Sequence, residues 1–493
     1  MVIMSGDGTK PARVLNGLSD VRAFFHTNAV PLYFISPTPF NLLGIDRWVR
    51  NFRYLTYFDS FEGEHPRVFV PRRRDRIEFD SMGDVCNHLL LDPEILEFIA
   101  NQGPGGKACF VILDAETQAL AHQAGLEVMH PPAELRQRLG SKIVMTRLAD
   151  EAGVPSVPHV IGQAGSYEEL VALARGSELG DDLVVEAAYG AAGSATFFVS
   201  GQADWDRHAD ALAGQEEIKV MKRIRNVEVC IEGTVTRHGT VIGPAMTSLV
   251  GYRELTPLRG AWCGNDVWRD VLPPAQTRVA REMVGKLGDI LSREGYRGYF
   301  EVDLLHDLDS DELFFGEVNP RLSGASPMTN LTTEAYADMP LFLFHLLEYM
   351  DVDYELDIDE INARWERGYG EDEVWGQVII SETATDVELF TSTPRTGVWR
   401  LGTDGRVSFA RHANDWDSVM DESEAFYMRI AAPGEIRAEG AQLGLLVTRG
   451  HLQTDDYQLT ERCRRWVEGI KAKFVSVPLT AATPIVSRLV ARA

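Results

Sequence analysis

One segment constrains this chain more than any other, residues 298–330, GYFEVDLLHDLDSDELFFGEVNPRLSGASPMTN. Successive side chains of an extended strand point to opposite faces, so residues 299–305 place Glu301 and Asp303 on one face and Phe300, Val302 and Leu304 on the other. The same rule applied to residues 313–319 groups Leu313, Phe315, Glu317 and Asn319. Pairing the strands with Asp303 opposite Glu317 sets Glu301 opposite Asn319 and leaves a five-residue loop, 308–312. Directly opposed carboxylates repel unless something positive lies between them. Carboxylates with an amide oxygen, and no His or Cys, are the hard donors of Mg²⁺, which completes its shell with water and substrate phosphates. Arg321 then points near the same centre, where it would stabilise charge developing on a transferred phosphoryl group or a tetrahedral intermediate. The alternative is a solvated acidic rim with Arg321 in a surface ion pair. The Asn-Pro-Arg turn, followed by Ser323, Gly324, Ala325 and Ser326, favours the metal-binding reading.

The rest of the chain divides by pattern. Its 493 residues set a prior of about three domains. Residues 108–113 read as an apolar strand, followed by Asp114, a helix to Ala124, Gly125 as its stop and a strand at 126–129, a strand–helix–strand unit. With the strand-like 32–35 it suggests an N-terminal α/β domain, residues 1–135. Ser141 caps a helix from Lys142 to about Ala152, ended by Gly153 and Pro155. Two strands separated by small residues follow in 183–199, a strand pair in 218–242, and a helix over 275–294 with Val279, Met283, Leu287 and Ile290 on one stripe. With a buried helix in 339–350, these form a second domain, 136–350. The acid-rich 351–373 reads as a connection, and 374–493 as a mainly β domain closed by a helix near 459–474.

Composition excludes several function classes. Lys plus Arg number 48 against 73 Asp plus Glu, a net charge of −25 that disfavours nucleic-acid backbones and anionic membranes. The basic run Arg72, Arg73, Arg74 and Arg76 is read as a solvated or paired loop. No apolar stretch reaches the roughly 18 residues of a spanning helix, and the start lacks a signal peptide's apolar region, so a cytoplasmic protein is expected. Five scattered cysteines without metal-ligand spacing point to reduced thiols.

Taken in order, GSKIVMTRLADEAGVPSVP, YGAAGSATFF, RNVEVCIEGTV, GYRGYFEVDLL and FFGEVNPRLSGASPMTN resemble the ATP-grasp superfamily, in its biotin-carboxylase-like branch. The resemblance implies an α/β and α+β architecture: an N-terminal α/β (pre-ATP-grasp, Rossmann-like) domain, the ATP-grasp domain and a C-terminal β-rich domain. It implies ATP and Mg²⁺ as cofactors. Lys142 matches the nucleotide-phosphate lysine, Gly190, Gly193 and Ser194 the flap over the phosphates, and Glu228 an acidic position in the nucleotide half. Asp303, Glu317 and Asn319 match the magnesium ligands, and Arg321 the arginine beside the reacting phosphate.

Three positions depart from the family pattern. Glu186 stands where a second lysine is usual, in VVEAAYG, and Lys222 stands near a usual acidic hinge residue, leaving Arg223 or Arg225 as candidate nucleotide contacts. Ala325 occupies the position of the biotin-carboxylase base, and alanine carries no proton. The expected function is therefore an ATP-dependent carboxylate–amine ligase forming an amide or peptide bond through an acyl phosphate. Its partners are a small-molecule or short-peptide acid and amine, and a homodimer is possible. Alternatives are a carboxylase, another phosphoryl-transfer enzyme of the superfamily, or a non-catalytic ATP-binding module. Residues 243–266 look too irregular for a plain strand connection; they either line the substrate pocket, with Arg253, Arg259 or Trp262, or pack on the C-terminal unit.

Overall fold

The computed structural model describes residues 14–72, 77, 79–190, 195–331, 339–366 and 373–479. The N-terminal region is built on a parallel five-stranded sheet in the order Val68–Phe69, Phe52–Thr56, Leu32–Ser36, Lys107–Cys109, Glu127–Val128. Leu32–Ser36 is buried along its whole length, as a strand covered on both faces must be. The strand–helix–strand unit read around Asp114 forms, but its first strand is Lys107–Cys109 rather than 108–113; the Asp114 carboxylate caps helix Ala115–Gln123 by accepting from Thr117 N at 2.7 Å.

Strands His159–Gly162, Ile218–Lys222, Leu183–Ala187 and Thr196–Val199 make a four-stranded antiparallel sheet. The reading of 218–242 as one strand pair is corrected: Ile218–Lys222 belongs to this small sheet, while Asn226–Thr236 turns into the larger one and pairs with Gly239–Val250. The larger sheet is antiparallel and ten-stranded, in the order Leu313–Asn319, Gly298–Asp307, Asn226–Thr236, Gly239–Val250, Trp262–Val267, Trp375–Ser381, Gln442–Arg449, Glu424–Arg429, Gly397–Leu401, Val407–Arg411. Helix Glu461–Lys471 closes the C-terminal region, burying Cys463, Trp466, Val467 and Ile470. Residues 351–373 carry a strand, Asp353–Glu355, parallel to Val14–Asn16, and a helix, Ile358–Glu366. No helix among the described residues is long and apolar enough to cross a membrane.

Helix Pro274–Arg293 packs Met283, Val284, Leu287, Ile290 and Leu291 against Phe300, Val302 and Leu304 of the large sheet. Val279, expected on that stripe, is 43% exposed, and Ala280 takes the inward position. The register read from the sequence holds, with Glu301 opposite Asn319 and Asp303 opposite Glu317. The face assignment of the second strand does not. The pairing shifts after Asp303, so Leu304 faces Phe315, and Gly316 is the extra residue of a β-bulge. Leu313 and Phe315 therefore join Val318 in the core, on the side away from Glu317 and Asn319. A Cβ at Gly316 would come 3.0 Å from the Asp303 carbonyl oxygen, which favours glycine there.

Candidate active site

Three neighbouring strands carry the site. Asn226–Thr236 sets Glu228, Cys230 and Glu232 opposite Leu305, Asp303 and Glu301, and the next strand brings Glu317 and Asn319 alongside. The Asn319 amide nitrogen donates to Glu301 Oε2 at 3.0 Å, Asp303 Oδ2 at 3.2 Å and Glu317 Oε1 at 3.3 Å, while its oxygen accepts from Arg321 Nη2 at 2.9 Å. An amide donating to three carboxylates sits where a cation is electrostatically favoured. Candidate ligand atoms of Cys230, Glu301 and Asp303 all lie within 4.8 Å of one another. The site thus includes a thiol beside the hard oxygen donors, which the reading without Cys did not anticipate.

Burial raises the carboxyl pKa values across this face. Burial and the nearby Glu301 and Glu228 charges lift Asp303 well above the usual carboxylate range, and Glu228 is raised by burial and Glu301. Burial and Glu301 push Glu232 up to about 7. The Ser323 hydroxyl lies 2.9 Å from Glu232 Oε1 and 2.8 Å from Glu301 Oε1, and Ser326 Oγ donates to Glu232 Oε1 at 2.7 Å. One hydroxyl proton cannot serve two carboxylates at once, which favours a shared proton between the two acids.

Lys142 opens helix Lys142–Glu151, capped by Ser141 Oγ on Val144 N at 3.3 Å. Its backbone N–H donates to Ala188 O at 2.9 Å, and its ammonium pairs with Glu317 and, at 3.2 Å, with Glu186. The sequence-derived candidates Lys142, Asp303, Glu317, Asn319 and Arg321 are thus brought together, with Glu228 on the same acidic face. Gly190 ends the described part of its loop, and Gly193 and Ser194 lie outside the described residues.

Other candidates are placed elsewhere. Arg225 pairs with Asp309 and Arg223 with Asp182, and Lys222 is exposed. Most of 243–266 is regular strand, and only the stretch between Val250 and Trp262 is irregular. There Leu255 packs into the C-terminal core, while Arg253 and Arg259 are exposed. Trp262 covers the turn after Asn319 so closely that a Cβ at Gly324 would meet its ring at 2.5 Å. Ala325 is buried with Met328, Trp375 and Phe426.

Several site residues escaped sequence reasoning. Glu232 and Cys230 had a signal, since NVEVCIEG alternates Glu228, Cys230 and Glu232 onto one face. Asn41 Nδ2, which donates to Ser323 O at 2.7 Å, and Arg136, which donates to Pro320 O at 3.1 Å, had none; both reach the turn from far upstream.

The solved biotin carboxylase domain of Hydrogenobacter thermophilus 2-oxoglutarate carboxylase, crystallised with MgADP and bicarbonate, superposes with a TM-score of 0.58 at 12% identity, covering 85% of this chain and 86% of that one. The chain has the ATP-grasp fold seen in this biotin carboxylase domain. A second ATP-grasp neighbour, carboxyaminoimidazole ribonucleotide synthase from Aspergillus clavatus complexed with ATP, gives a TM-score of 0.53 at 12% identity over 86% of this chain and 94% of that one. Among curated proteins, Biotin carboxylase 1 of Bacillus subtilis is 23% identical over 235 residues, 45% of this chain and 49% of that protein. The mitochondrial methylcrotonoyl-CoA carboxylase subunit alpha of Arabidopsis thaliana is 24% identical over 233 residues, 45% of this chain and 30% of that protein. The chain thus spans half or less of the length of these relatives. No protein-family profile matches it.

The raised carboxyls make stability in the absence of metal depend on pH. Glu232 and Asp266 both titrate at about 7, above their unfolded values, so their protonated forms favour the fold and that stabilisation is lost as pH rises through about 7. Buried His130 and His345 are lowered, His345 to about 3, so their contribution rises with pH and is complete above the unfolded value of about 6.5. Between pH 6.5 and 8 the two acids lose more than the two imidazoles return, and the unfolding free energy should fall by roughly 1 kcal/mol. Urea unfolding in EDTA at the two pH values checks this, and Glu232→Gln should remove most of the slope.

Proposed function

We propose that this chain is an ATP-dependent carboxylate–amine ligase that forms an amide or peptide bond through an acyl phosphate and releases ADP and phosphate. The observation that carries the reading is Ala325. The position that would hold a carboxylase base is a methyl group sealed among Met328, Trp375 and Phe426, so no proton acceptor reaches the substrate from there.

The acidic face suits Mg²⁺: several convergent carboxyl groups, raised by burial and mutual repulsion, and an amide that already presents its positive end to three of them. Asp303, Glu317 and Asn319 would hold the ion, with Glu301 beside them. Bound there, Mg²⁺ would neutralise the phosphate oxygens and orient the terminal phosphoryl group.

A substrate carboxylate oxygen attacks the terminal phosphorus of ATP, the bond to the β-phosphate oxygen breaks, and ADP leaves. The amine nitrogen then attacks the acyl carbon, the carbon–oxygen bond to phosphate breaks, and the ammonium proton passes to the departing phosphate or solvent. Arg321, fixed by Asn319 Oδ1 and Leu322 O, supplies a guanidinium to the charge that develops in both steps. The protein's work is placement and neutralisation of charge.

The test is ADP release with Mg²⁺ and hydroxylamine across amino acids, short peptides and bicarbonate. A hydroxamate is expected with one class of acid. ADP release that needs bicarbonate alone would overturn the ligase reading in favour of a carboxylase.

A further inference from the structure

The acidic face continues into a cationic cluster that the sequence did not bring together. Lys219 pairs in antiparallel register with Glu186, the last position but one of the strand that enters the glycine-rich loop. Its side chain is 0% exposed, its ammonium lies 3.5 Å from Glu186 Oε2, and no hydrogen bond reaches it among the described residues. Glu186 Oε1 accepts from Thr196 Oγ1 at 3.3 Å, where the chain returns from that loop, and lies 3.2 Å from the Lys142 ammonium, which pairs with Glu317. A line of alternating charge therefore runs from Glu317 through Lys142 and Glu186 to Lys219.

A purely structural role explains this poorly. An ammonium carries three donors, and burying it with one long ion contact and no hydrogen bond is costly. Burial lowers the Lys219 pKa and Glu186 opposes that change, as expected for a cation short of partners. A ligand with several anionic oxygens would supply what is missing.

We propose that Lys219 contacts the nucleotide phosphates, forming with Lys142 a two-ammonium clamp that Glu186 spaces and holds in the ligand-free protein. This rests on the ATP-dependent reading above. The cluster of Lys142, Glu186 and Lys219 carries one net positive charge, and its second lysine stands on the strand next to position 186.

Calorimetric titration of the full chain with Mg·ATP, Mg·ADP and adenosine tests the proposal. Lys219→Met should weaken ATP and ADP by about tenfold or more and leave adenosine within about twofold, since only the phosphates use a charge-assisted contact. Because K219M strips Glu186 of a partner, the Glu186→Gln/Lys219→Met pair is titrated beside it to separate folding from binding, with the same selective loss expected. The exchange Glu186→Lys/Lys219→Glu should recover most of the ATP affinity. Unchanged ATP binding in a folded K219M protein, parallel loss of ATP and adenosine, or no recovery in the exchange would each overturn the proposal. Wild-type protein that binds no nucleotide would defeat the ATP-dependent reading itself, whereas wild-type binding with an unaffected K219M defeats this inference alone.

Discussion

Glu317→Gln should lower ADP release on the order of 1,000-fold while leaving the protein folded. Glu317 is where the acidic face meets the Lys142 ammonium: it accepts from Asn319 Nδ2 at 3.3 Å and pairs with Lys142. The amide keeps the size and shape of the acid but removes the charge that would bind the metal and aim Lys142. Folding should hold, because the Glu317 side chain is 27% exposed and the Lys142 ammonium that loses its charge partner keeps Glu186. The unfolding midpoint in EDTA should stay close to the parent's, and the loss should lie in kcat more than in KM for the acid substrate. Turnover within tenfold of the parent would sink the metal-site assignment.

The centre of the site was legible because it rests on local rules. Strand alternation and a five-residue loop were enough to pair Asp303 with Glu317 and Glu301 with Asn319. The same period-two count misplaced Phe315, because it cannot register an extra residue; only the structure shows that Gly316 bulges and turns the preceding side chains back into the core. Glu186 is instructive in a different way. As a sequence position it reads as a charge reversal that removes a phosphate contact, and its partner is invisible because Lys219 lies 33 positions away on a strand paired by the fold. Val279 shows the limit of helical periodicity, since on a helix against a twisted sheet the edge of the apolar stripe is set by the surface opposite, and Ala280 won the inward position.

Arg136→Leu should destabilise the protein by about 3–5 kcal/mol and slow turnover beyond what the unfolded fraction explains. Arg136 is one of two arginines in the short helix Ala133–Leu139. It is 6% exposed, and its guanidinium donates to Pro320 O at 3.1 Å, Leu113 O at 3.2 Å and Val111 O at 3.2 Å. Burial draws its pKa down to about 10, so it keeps its charge at neutral pH. Leucine fills part of the volume but leaves three buried carbonyls without a donor, each worth about 1–3 kcal/mol when unsatisfied. Pro320 sits between Asn319 and Arg321, so releasing its carbonyl frees the turn that holds both in the proposed site. A displacement of about 1 Å at such a point costs on the order of 100-fold in rate. Arg136→Lys separates the two effects, because an ammonium keeps the charge but cannot span three carbonyls in one plane. It should recover part of the stability and little of the rate, as measured by urea unfolding and ADP release on the same preparations. A leucine variant with the parent's unfolding midpoint and rate would show that the turn is held without Arg136, leaving Asn41 on Ser323 O as its support from the N-terminal region.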